Sequence, residues 1–431
     1  MDSRTGGRRS SGRWWREGRL PAVLAIVAAL GVLAASCSRE DVPEQSTILR
    51  VLMTDDWVTP PFLAAVRDFE RNHPDVLVDV DRAPISHMLD TVAAAVSTGE
   101  APDVAQAHAF AAAARGLAQP LDRFWAAGDP LESSEFLPGA MDDVTWGGNL
   151  YGVPLDTNAL FLLYDSERFS ASSVGAGPFT FTSFAAAARA LSAPDGSRRA
   201  IAIPTNTWWT YGWIRANGGE LLHLGPRGET RVTLDDPAAT GALEFLAGLV
   251  RENLAFPPRA ADSNSSDALA LFRSGSAATL ASGSWDLALL EKDPDGAKYR
   301  STPMPSGGPG RAGSVMGGSS MFVPIGSRHQ ELAFRFMAHL VSDKYALRLA
   351  KEEGRLPVRP RVYDDPYFDT PGLKAVIDQL PTASPFKLTA FPQVHDIFAA
   401  AVDEVLREGK DASTVMADAQ RRAQALMPGR S

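Results

Sequence analysis

Tryptophan side chains beside Gly, Asn and Asp are the residues of this sequence best suited to recognition chemistry. The stretch "TNTWWTYGWIRANGGELL" places Trp208, Trp209, Tyr211 and Trp213 within six residues. An indole presents a flat apolar face and one N–H donor, which suits the C–H face of a sugar ring. Neighbouring Asp, Asn or Arg side chains would hydrogen-bond the hydroxyl groups. Packing in a core is the competing interpretation, and we favour it for Trp209 and Trp213, which share a predicted helix.

Two further tryptophans follow predicted strands directly. Trp57 stands after the first strand in "TDDWVTPP", and Trp285 follows a buried strand in "LASGSWDLALL". Open α/β sheets hold their ligands beyond the carboxyl ends of the strands. Because Trp57, Trp208 and Trp285 each stand at a strand-to-helix junction, we expect all three to contact a ligand.

The common motifs of enzymes are missing from the sequence. It has no Gly-Lys-Ser/Thr phosphate loop, no His-Glu-x-x-His helix and no Gly-x-Ser-x-Gly elbow. Gly308, Gly310 and Gly313 fit G-x-G-x-x-G, but prolines surround them, so we expect a mobile loop and no dinucleotide site. The seven histidines include no pair at helical ligand spacing, and we expect no metal and no other cofactor. Acidic residues are plentiful, so a glycosidase-like carboxylate pair stays open.

Length and composition set the broad class. A chain of 431 residues exceeds one average domain, so we expect two lobes or domains. Hydrophobic residues make up 45% and charged residues 22%, a globular balance with enough apolar residues for a sizeable core. The net charge of -9 argues against nucleic-acid binding, because phosphate recognition needs a basic surface.

The single cysteine, Cys37, follows an arginine-rich segment and the apolar run "AVLAIVAALGVLAAS". This layout is typical of an export signal, and the run is short for a stable membrane span. Small residues directly before a cysteine resemble a bacterial lipoprotein signal, although Ala34 stands where Leu is usual. We therefore expect residues 1–36 to be a signal peptide, Cys37 to be lipidated and residues 37–45 to be a flexible tether. A plain secretory signal with a chance cysteine is the alternative.

Strands and helices are predicted to alternate along the rest of the chain. "TILRVLMTD", "DVLVDVDRAP" and "PDVAQAHA" have the pattern of strands, with helical patterns between them. Further on, "AIAIP" and "SAATLASG" predict strands, and "HQELAFRFMAHLVSDKYALRLAKEEG" predicts one long helical stretch. Such alternation indicates βαβ units and a parallel sheet covered by helices on both faces.

Four segments resemble one known family, in the family's own order. They are "LYGVPLDTNALFLLYDSERF", "LFRSGSAATLASGSWDL", "GGSSMFVPIGSRHQELAFRFMAHLVSD" and "EGRLPVRPRV". The family is that of the extracellular solute-binding proteins of ABC importers, in its sugar-binding, maltose-binding-protein-like branch. The resemblance extends from about Thr47 to Pro428, nearly the whole chain after the predicted signal.

The resemblance implies an α/β fold of the two-lobed periplasmic-binding-protein type II class. Each lobe would be a mainly parallel sheet flanked by helices, with the ligand cleft at the hinge. The N-terminal lobe would comprise residues 46–156 and 317–354, and the C-terminal lobe residues 157–316 and 355–431. The family's role implies a monomer that captures a sugar or oligosaccharide without catalysis and delivers it to the transmembrane subunits of an ABC permease. With the predicted signal, it would act outside the cytoplasm, anchored by lipid to the cell membrane.

The ligand-binding residues are carried over from the family position by position. Trp208 falls at its stacking position and Trp285 at its Gly-x-Trp position. The third-strand loop "AHAFAAAARG" lacks the acidic and basic residues often found there, so a smaller or less polar ligand stays open. The predicted ligand-binding set is Asp55, Trp57, Gln106, His108, Asp156, Asn158, Trp208, Trp285, Gly317, Gly318, Ser319 and Arg359.

Other functions remain alternatives at this point. The same fold would serve a receptor for glycerol phosphate, polyamine or oxidised iron. Phosphate needs several Arg or Lys in the cleft loops, and a polyamine needs paired carboxylates with aromatic rings. Asp55, Asp56 and Asp156 beside tryptophans leave the polyamine open. An exported glycan hydrolase and a purely structural surface protein are the alternatives from other classes.

Overall fold

The computed structural model describes residues 46–126, 130–225, 229–261, 265–308 and 313–427. The predicted signal peptide (1–36), the tether (37–45), the lipidation of Cys37 and the Gly310 part of the glycine loop lie outside these residues. Among the helices that are described, none combines the length and the apolar character needed to cross a membrane.

The strands are β1 (Thr47–Thr54), β2 (Val76–Ala83), β3 (Val104–Ala107), β4 (Thr145–Trp146), β5 (Asn149–Leu150), β6 (Gly152–Ala159), β7 (Phe161–Asp165), β8 (Arg199–Ala202), β9 (Leu222–Leu224), β10 (Thr230–Val232), β11 (Ala255–Phe256), β12 (Ala277–Ser282), β13 (Tyr299–Thr302), β14 (Ser314–Phe322) and β15 (Ala383–Pro385). The helices are α1 (Pro60–Asn72), α2 (Met88–Thr98), α3 (Ala109–Ala114), α4 (Asp122–Ala126), α5 (Pro138–Asp143), α6 (Ser166–Ala171), α7 (Phe181–Leu191), α8 (Thr207–Ala216), α9 (Pro237–Arg251), α10 (Ser265–Arg273), α11 (Ser284–Leu290), α12 (Gln330–Leu340), α13 (Asp343–Glu353), α14 (Pro371–Gln379), α15 (Pro392–Leu406) and α16 (Ala412–Leu426).

The first sheet has six strands in the order β15-β14-β3-β1-β2, with β6 paired to β14. Strands β2, β1 and β3 are parallel, and β14 runs antiparallel to both β3 and β6. The βαβ units predicted at the start of the chain are confirmed, because α1 joins β1 to β2 and α2 joins β2 to β3. Their carboxyl ends therefore lie at one edge of the sheet.

The second sheet has five strands in the order β11-β8-β12-β7-β13. Strands β11, β8 and β12 are parallel, and β7 runs antiparallel to β12 and β13. Phe161 and Leu163 pack in one hydrophobic core, whereas Leu162 and Tyr164 pack in another. Burial on both faces explains the continuous apolar run of β7. Two sheets with their own helices confirm the two-lobed α/β fold; the predicted lobe boundaries stay a prediction.

The polypeptide passes between the two sheets by short connections. Strand β6 of the first sheet is separated from β7 of the second by Leu160 alone. Strand β13 of the second sheet leads back to β14 of the first. A third segment lies beside β6, where the Thr157 N–H donates to the Leu356 carbonyl at 2.9 Å. These connections bring polar residues of β6 and β14 to the junction of the sheets.

Helix ends follow the sequence closely, with one exception. Thr59 caps α1, since its side chain accepts the Phe62 N–H, and prolines occupy the first turn. The long helical stretch predicted before Gly354 is instead two helices, α12 and α13. Ser342 between them is extended, with φ -63° and ψ 150°, which interrupts the helix and starts a new one.

Candidate functional site

The paired strands β6 and β14 form the centre of the candidate site. Gly317 is paired with Asn158, and Ser319 with Asp156. Alternate residues of a strand share one face, so these four residues lie on the same side of the pair. The register shifts between Ser319 and Ser320, a bulge that re-aims the strand next to the polar residues.

A continuous set of hydrogen bonds connects this pair to the carboxyl ends of β3 and β1. Asp156 Oδ1 accepts the N–H of Ser319 at 2.8 Å and its hydroxyl at 2.9 Å. Gln106 Nε2 donates to Ser319 Oγ at 3.0 Å, and Gln106 Oε1 accepts the backbone N–H of Thr54 at 3.0 Å. Polar side chains therefore link four strands of the first sheet, β6, β14, β3 and β1.

Arg355 completes the polar part of the site. Its guanidinium lies 4.0 Å from the ring centroid of Trp57, a cation–π contact. Nη2 lies 3.1 Å from Asp56 Oδ2, Nε lies 2.9 Å from Glu353 Oε2, and Nη1 lies 3.8 Å from Asp156 Oδ2. One cation therefore contacts the loop after β1, strand β6 and the end of α13.

The pKa values of the two aspartates beside Arg355 are shifted in opposite directions. Burial raises the pKa of Asp156. Arg355 and Ser319 lower it, but their effect is smaller than that of burial, so the pKa stays raised. Burial also acts on Asp56, but hydrogen bonds from Thr54 and Arg355 outweigh it and lower the pKa of that carboxyl. Asp156 is therefore the more readily protonated of the two carboxyls.

Three tryptophans from the second sheet's side form the apolar part of the site. The rings of Trp208 and Trp209 have centroids 5.1 Å apart and planes at 77°. Trp285 lies 5.8 Å from Trp208 and 6.3 Å from Trp209. All three are partly buried at the edge of a hydrophobic core. The predicted stacking residues Trp208 and Trp285 are thus brought together, although they come from different helices.

The indole of Trp208 closely approaches the backbone of β14 in the strand pair. Trp208 Nε1 donates to the Met316 carbonyl at 3.4 Å. A Cβ on Gly317 would overlap Asn158 Oδ1 and lie 2.8 Å from Trp208 Cζ2. Glycine at 317 therefore permits the contact between α8 and β14. Asn158 Oδ1 is a buried acceptor with no hydrogen-bond partner among the described atoms.

Helix α8 explains why only some of its aromatic residues reach the site. Asn206 caps the helix by accepting the Trp208 N–H at 2.9 Å, which places Trp208 and Trp209 in the first turn. Trp213 and Tyr211 are buried in the core. The core prediction is confirmed for Trp213, whereas Trp209 is only partly buried and contacts the other two site tryptophans.

His108 lies two residues beyond Gln106, on the loop after β3. Its Nδ1 lies 2.7 Å from Asp143 Oδ1. Burial lowers the pKa of His108, but the charge and hydrogen bond of Asp143, with a contribution from Asp156, outweigh burial and raise it. His108 is thereby favoured in its charged form.

Three further predicted residues are either buried beneath other side chains or exposed on a loop. Trp57 is 2% exposed, and the contact with Arg355 covers its ring. Asp55 is exposed on the loop after β1. Arg359 is buried, with Nη2 2.6 Å from Glu135 Oε2. Their roles in binding stay predictions.

Sequence reasoning missed three residues that the structure brings into the site. Arg355 stands four residues before Arg359 in "EGRLPVRP", and the family pattern drew attention to the second arginine only. Trp209 was assigned to the core through its helix. Asp143 ends the short helix α5 and carries no motif. An arginine close to a predicted crossing was the one available signal.

Comparisons with known proteins identify the family. Residues 64–375 match the family described as bacterial extracellular solute-binding protein. A lactose-binding protein of Rhizobium radiobacter is 26% identical over 330 residues, covering 73% of this chain and 74% of that protein. The sn-glycerol-3-phosphate-binding periplasmic protein UgpB of Brucella melitensis is 24% identical over 328 residues, covering 70% and 73%.

A solved structure agrees with the same fold. The sugar-binding protein MalE from Xanthomonas citri matches with a TM-score of 0.78 at 20% identity, covering 88% of this chain and 97% of that one. The resemblance seen in four sequence segments is confirmed. Since the family match spans most of the chain, this protein is a member of the bacterial extracellular solute-binding protein family.

Proposed function

We propose that this protein captures a sugar or an oligosaccharide between its two sheets and releases it unchanged to the transmembrane subunits of an ABC permease. A single observation carries this proposal. The indole of Trp208, which clusters with those of Trp209 and Trp285, lies against the polar pair β6–β14 at Gly317, whose strand partner is Asn158. Flat apolar faces beside fixed donors and acceptors match the two sides of a pyranose ring.

The site's charges favour a neutral polyol over a polyamine. The polyamine alternative needs carboxylates with no cation of their own. Arg355 already contacts Asp56, Asp156 and Glu353 through three different nitrogens. A polyamine would have to displace a guanidinium that also lies against Trp57, whereas a neutral solute leaves these contacts in place.

Capture would proceed by binding to both sheets. A solute that touches Trp208 on one side and Asp156 on the other has more contacts when the sheets approach, so it favours the closed arrangement. No step of this process makes or breaks a bond. The permease would recognise the closed arrangement, and a monomer is sufficient for this role.

The predicted lipid on Cys37 would hold the protein at the outer face of the cell membrane. The small residues before Cys37 and the polar stretch of 37–45 support this proposal. Stable anchoring needs more than one buried acyl chain, as on a bacterial lipoprotein amino terminus.

Isothermal titration calorimetry with a panel of solutes tests the proposal. The panel contains lactose, maltose, longer maltodextrins, sn-glycerol 3-phosphate and spermidine. We expect binding of at least one sugar with an affinity that is insensitive to salt, because a neutral ligand has no charge to screen. Salt-sensitive binding of spermidine or glycerol phosphate alone would contradict the proposal. New reducing ends after incubation with glycans, abolished by a single carboxylate substitution, would instead reveal a hydrolase.

A further inference from the structure

A buried carboxylate lies directly behind His108. Asp143 ends α5 and is 7% exposed. Its Oδ1 lies 2.7 Å from His108 Nδ1, and its Oδ2 accepts a hydrogen bond from Ser320 Oγ at 2.7 Å. Ser320 is completely buried, and its Oγ accepts the Ala109 N–H at 2.8 Å. Asp143 and Ser320 together therefore anchor the loop after β3 against β14.

The contact with Asp143 involves only one of the two ring nitrogens of His108. The His108 side chain is 40% exposed, although Nδ1 is bound to a buried carboxylate. Nε2 is the ring nitrogen that this contact leaves available to another partner. Two residues earlier, Gln106 bonds Ser319, the partner of Asp156, so the loop after β3 belongs to the same polar line. Asp156 also acts electrostatically on His108, so the ring lies near the candidate site.

The charged groups around His108 favour an imidazolium. Asp143 and Asp156 are the carboxylates that act on it, and their effect exceeds that of burial, so its pKa is raised. The 3₁₀ helix Lys387–Ala390 packs against α3, and its cation Lys387 pairs with Asp142. The buried carboxylate of Asp143 needs a protonated partner, and His108 supplies one.

We propose that Asp143 is a positioning residue of the solute site, which holds His108 by Nδ1 so that the Nε2–H donates to a solute oxygen. Asp143 does not itself touch the solute. The donor selects hydroxyl or ring oxygens and disfavours ammonium groups, because a cation faces them. This inference rests on the proposed function for its ligand. The pKa and the tautomer of His108, however, can be measured without any solute.

NMR of the imidazole nitrogens, without any solute, tests the first half of the proposal. In wild type we expect the His108 pKa above that of a free imidazole, and the Nδ1–H tautomer above that pKa. The variant Asp143→Asn keeps an acceptor for Nδ1 but removes the charge, so the His108 pKa falls. The matched control Asp142→Asn removes a neighbouring exposed carboxylate and leaves the His108 pKa in place. An Nε2–H tautomer in wild type, or equal shifts in both variants, would overturn the inference.

Calorimetry with lactose and maltose tests the second half. We expect His108→Gln to weaken binding about tenfold or more, the size of a lost charge-assisted hydrogen bond. Wild-type affinity should fall as pH rises through the His108 pKa, and in Asp143→Asn this fall should move to lower pH. Unchanged affinity in His108→Gln, or an unshifted pH profile in Asp143→Asn, sinks the inference. If wild type binds no solute of the panel, the proposed function fails, and the NMR titration alone then decides whether Asp143 holds His108.

Discussion

At the residue scale, Arg355 is a cation that already occupies the acidic part of the candidate site. Without it, Asp56, Asp156 and the face of Trp57 would form a pocket for an organic cation. Its guanidinium occupies that pocket and neutralises the carboxylates in place. The polar half of the site is therefore preassembled within the protein, while the indoles remain available for an incoming ring.

Removing one indole tests that division of roles. We expect Trp208→Ala to weaken binding of the solute identified by calorimetry about tenfold to a hundredfold, because a stacking face is lost. The midpoint of thermal unfolding should change little, since Trp208 lies at the edge of the core. Trp213→Phe is the control: this residue is 2% exposed, so the variant should unfold at lower temperature and bind normally. Normal binding by Trp208→Ala would argue against stacking there.

The pair of His108 and Asp143 also predicts a pH dependence of stability. The His108 pKa is raised in the folded protein, so its contribution is complete below the ordinary value of 6.5 and is lost as pH rises through the folded pKa. Urea unfolding at several pH values should show the free energy of unfolding decreasing over that window. The decrease should be smaller in His108→Gln. Identical pH profiles for the two proteins would contradict the assignment.

How far the sequence predicts the site depends on the kind of contact. Trp208 and Trp285 were predictable, because aromatic residues at strand-to-helix junctions reach a known edge of the sheet. Arg355 was not, since its importance comes from lying against Trp57, a contact between segments about 300 residues apart in the chain. Asp143 was equally hidden, because only the fold places the end of α5 behind His108.

At the element scale, close packing within the strand pair β6–β14 limits which residues can replace its glycines. Gly318 has a φ of +104°, and a Cβ there would overlap the Asp156 carbonyl. We expect Gly318→Ala to lower the free energy of unfolding by about 1–3 kcal/mol, from backbone strain and displacement of β6. Gly175→Ala is the matched control, since a Cβ at that position would meet no described atom within 4 Å. Chemical denaturation measures both, and equal stability of the two variants would refute the expectation.

The break between α12 and α13 shows that apolar periodicity alone is insufficient to predict where a helix ends. The apolar pattern continues from α12 into α13, so the sequence predicts one helix. Ser342 adopts an extended conformation between them, and both helices then pack against α1. A serine within an unbroken apolar pattern is compatible with either outcome, and only packing against α1 decides between them.

At the scale of the whole molecule, the alternation of strands and helices was sufficient to predict the fold class. The predicted parallel units are present at the start of the first sheet. The antiparallel strands arise where the chain passes between sheets, as at β6 and β14. Single-segment patterns cannot reveal these pairings, since each one joins residues far apart in sequence.

Solute binding should change the shape of the molecule. We expect the radius of gyration from small-angle X-ray scattering to decrease on addition of the solute found by calorimetry, because the solute contacts both sheets. Trp208→Ala at the same solute concentration supplies the control for specific binding. An unchanged radius at saturation would show that capture does not depend on closure.

The proposed membrane attachment through Cys37 is tested separately from solute binding. We expect the full chain, expressed in a bacterial host, to fractionate with the membrane and to incorporate labelled palmitate. Cys37→Ser should lose the label and appear in the fraction outside the membrane. Labelled Cys37→Ser protein would show that the acyl chains attach elsewhere.

The direct passage from β6 into β7 determines what kind of motion is available. A single residue, Leu160, separates two hydrogen-bonded strands, so no slack exists for translation or for a freely jointed swivel. We expect opening and closing to occur by small backbone rotations in β6 and β14, about one axis set by these strands. Every solute, whatever its size, would meet the same trajectory of approach.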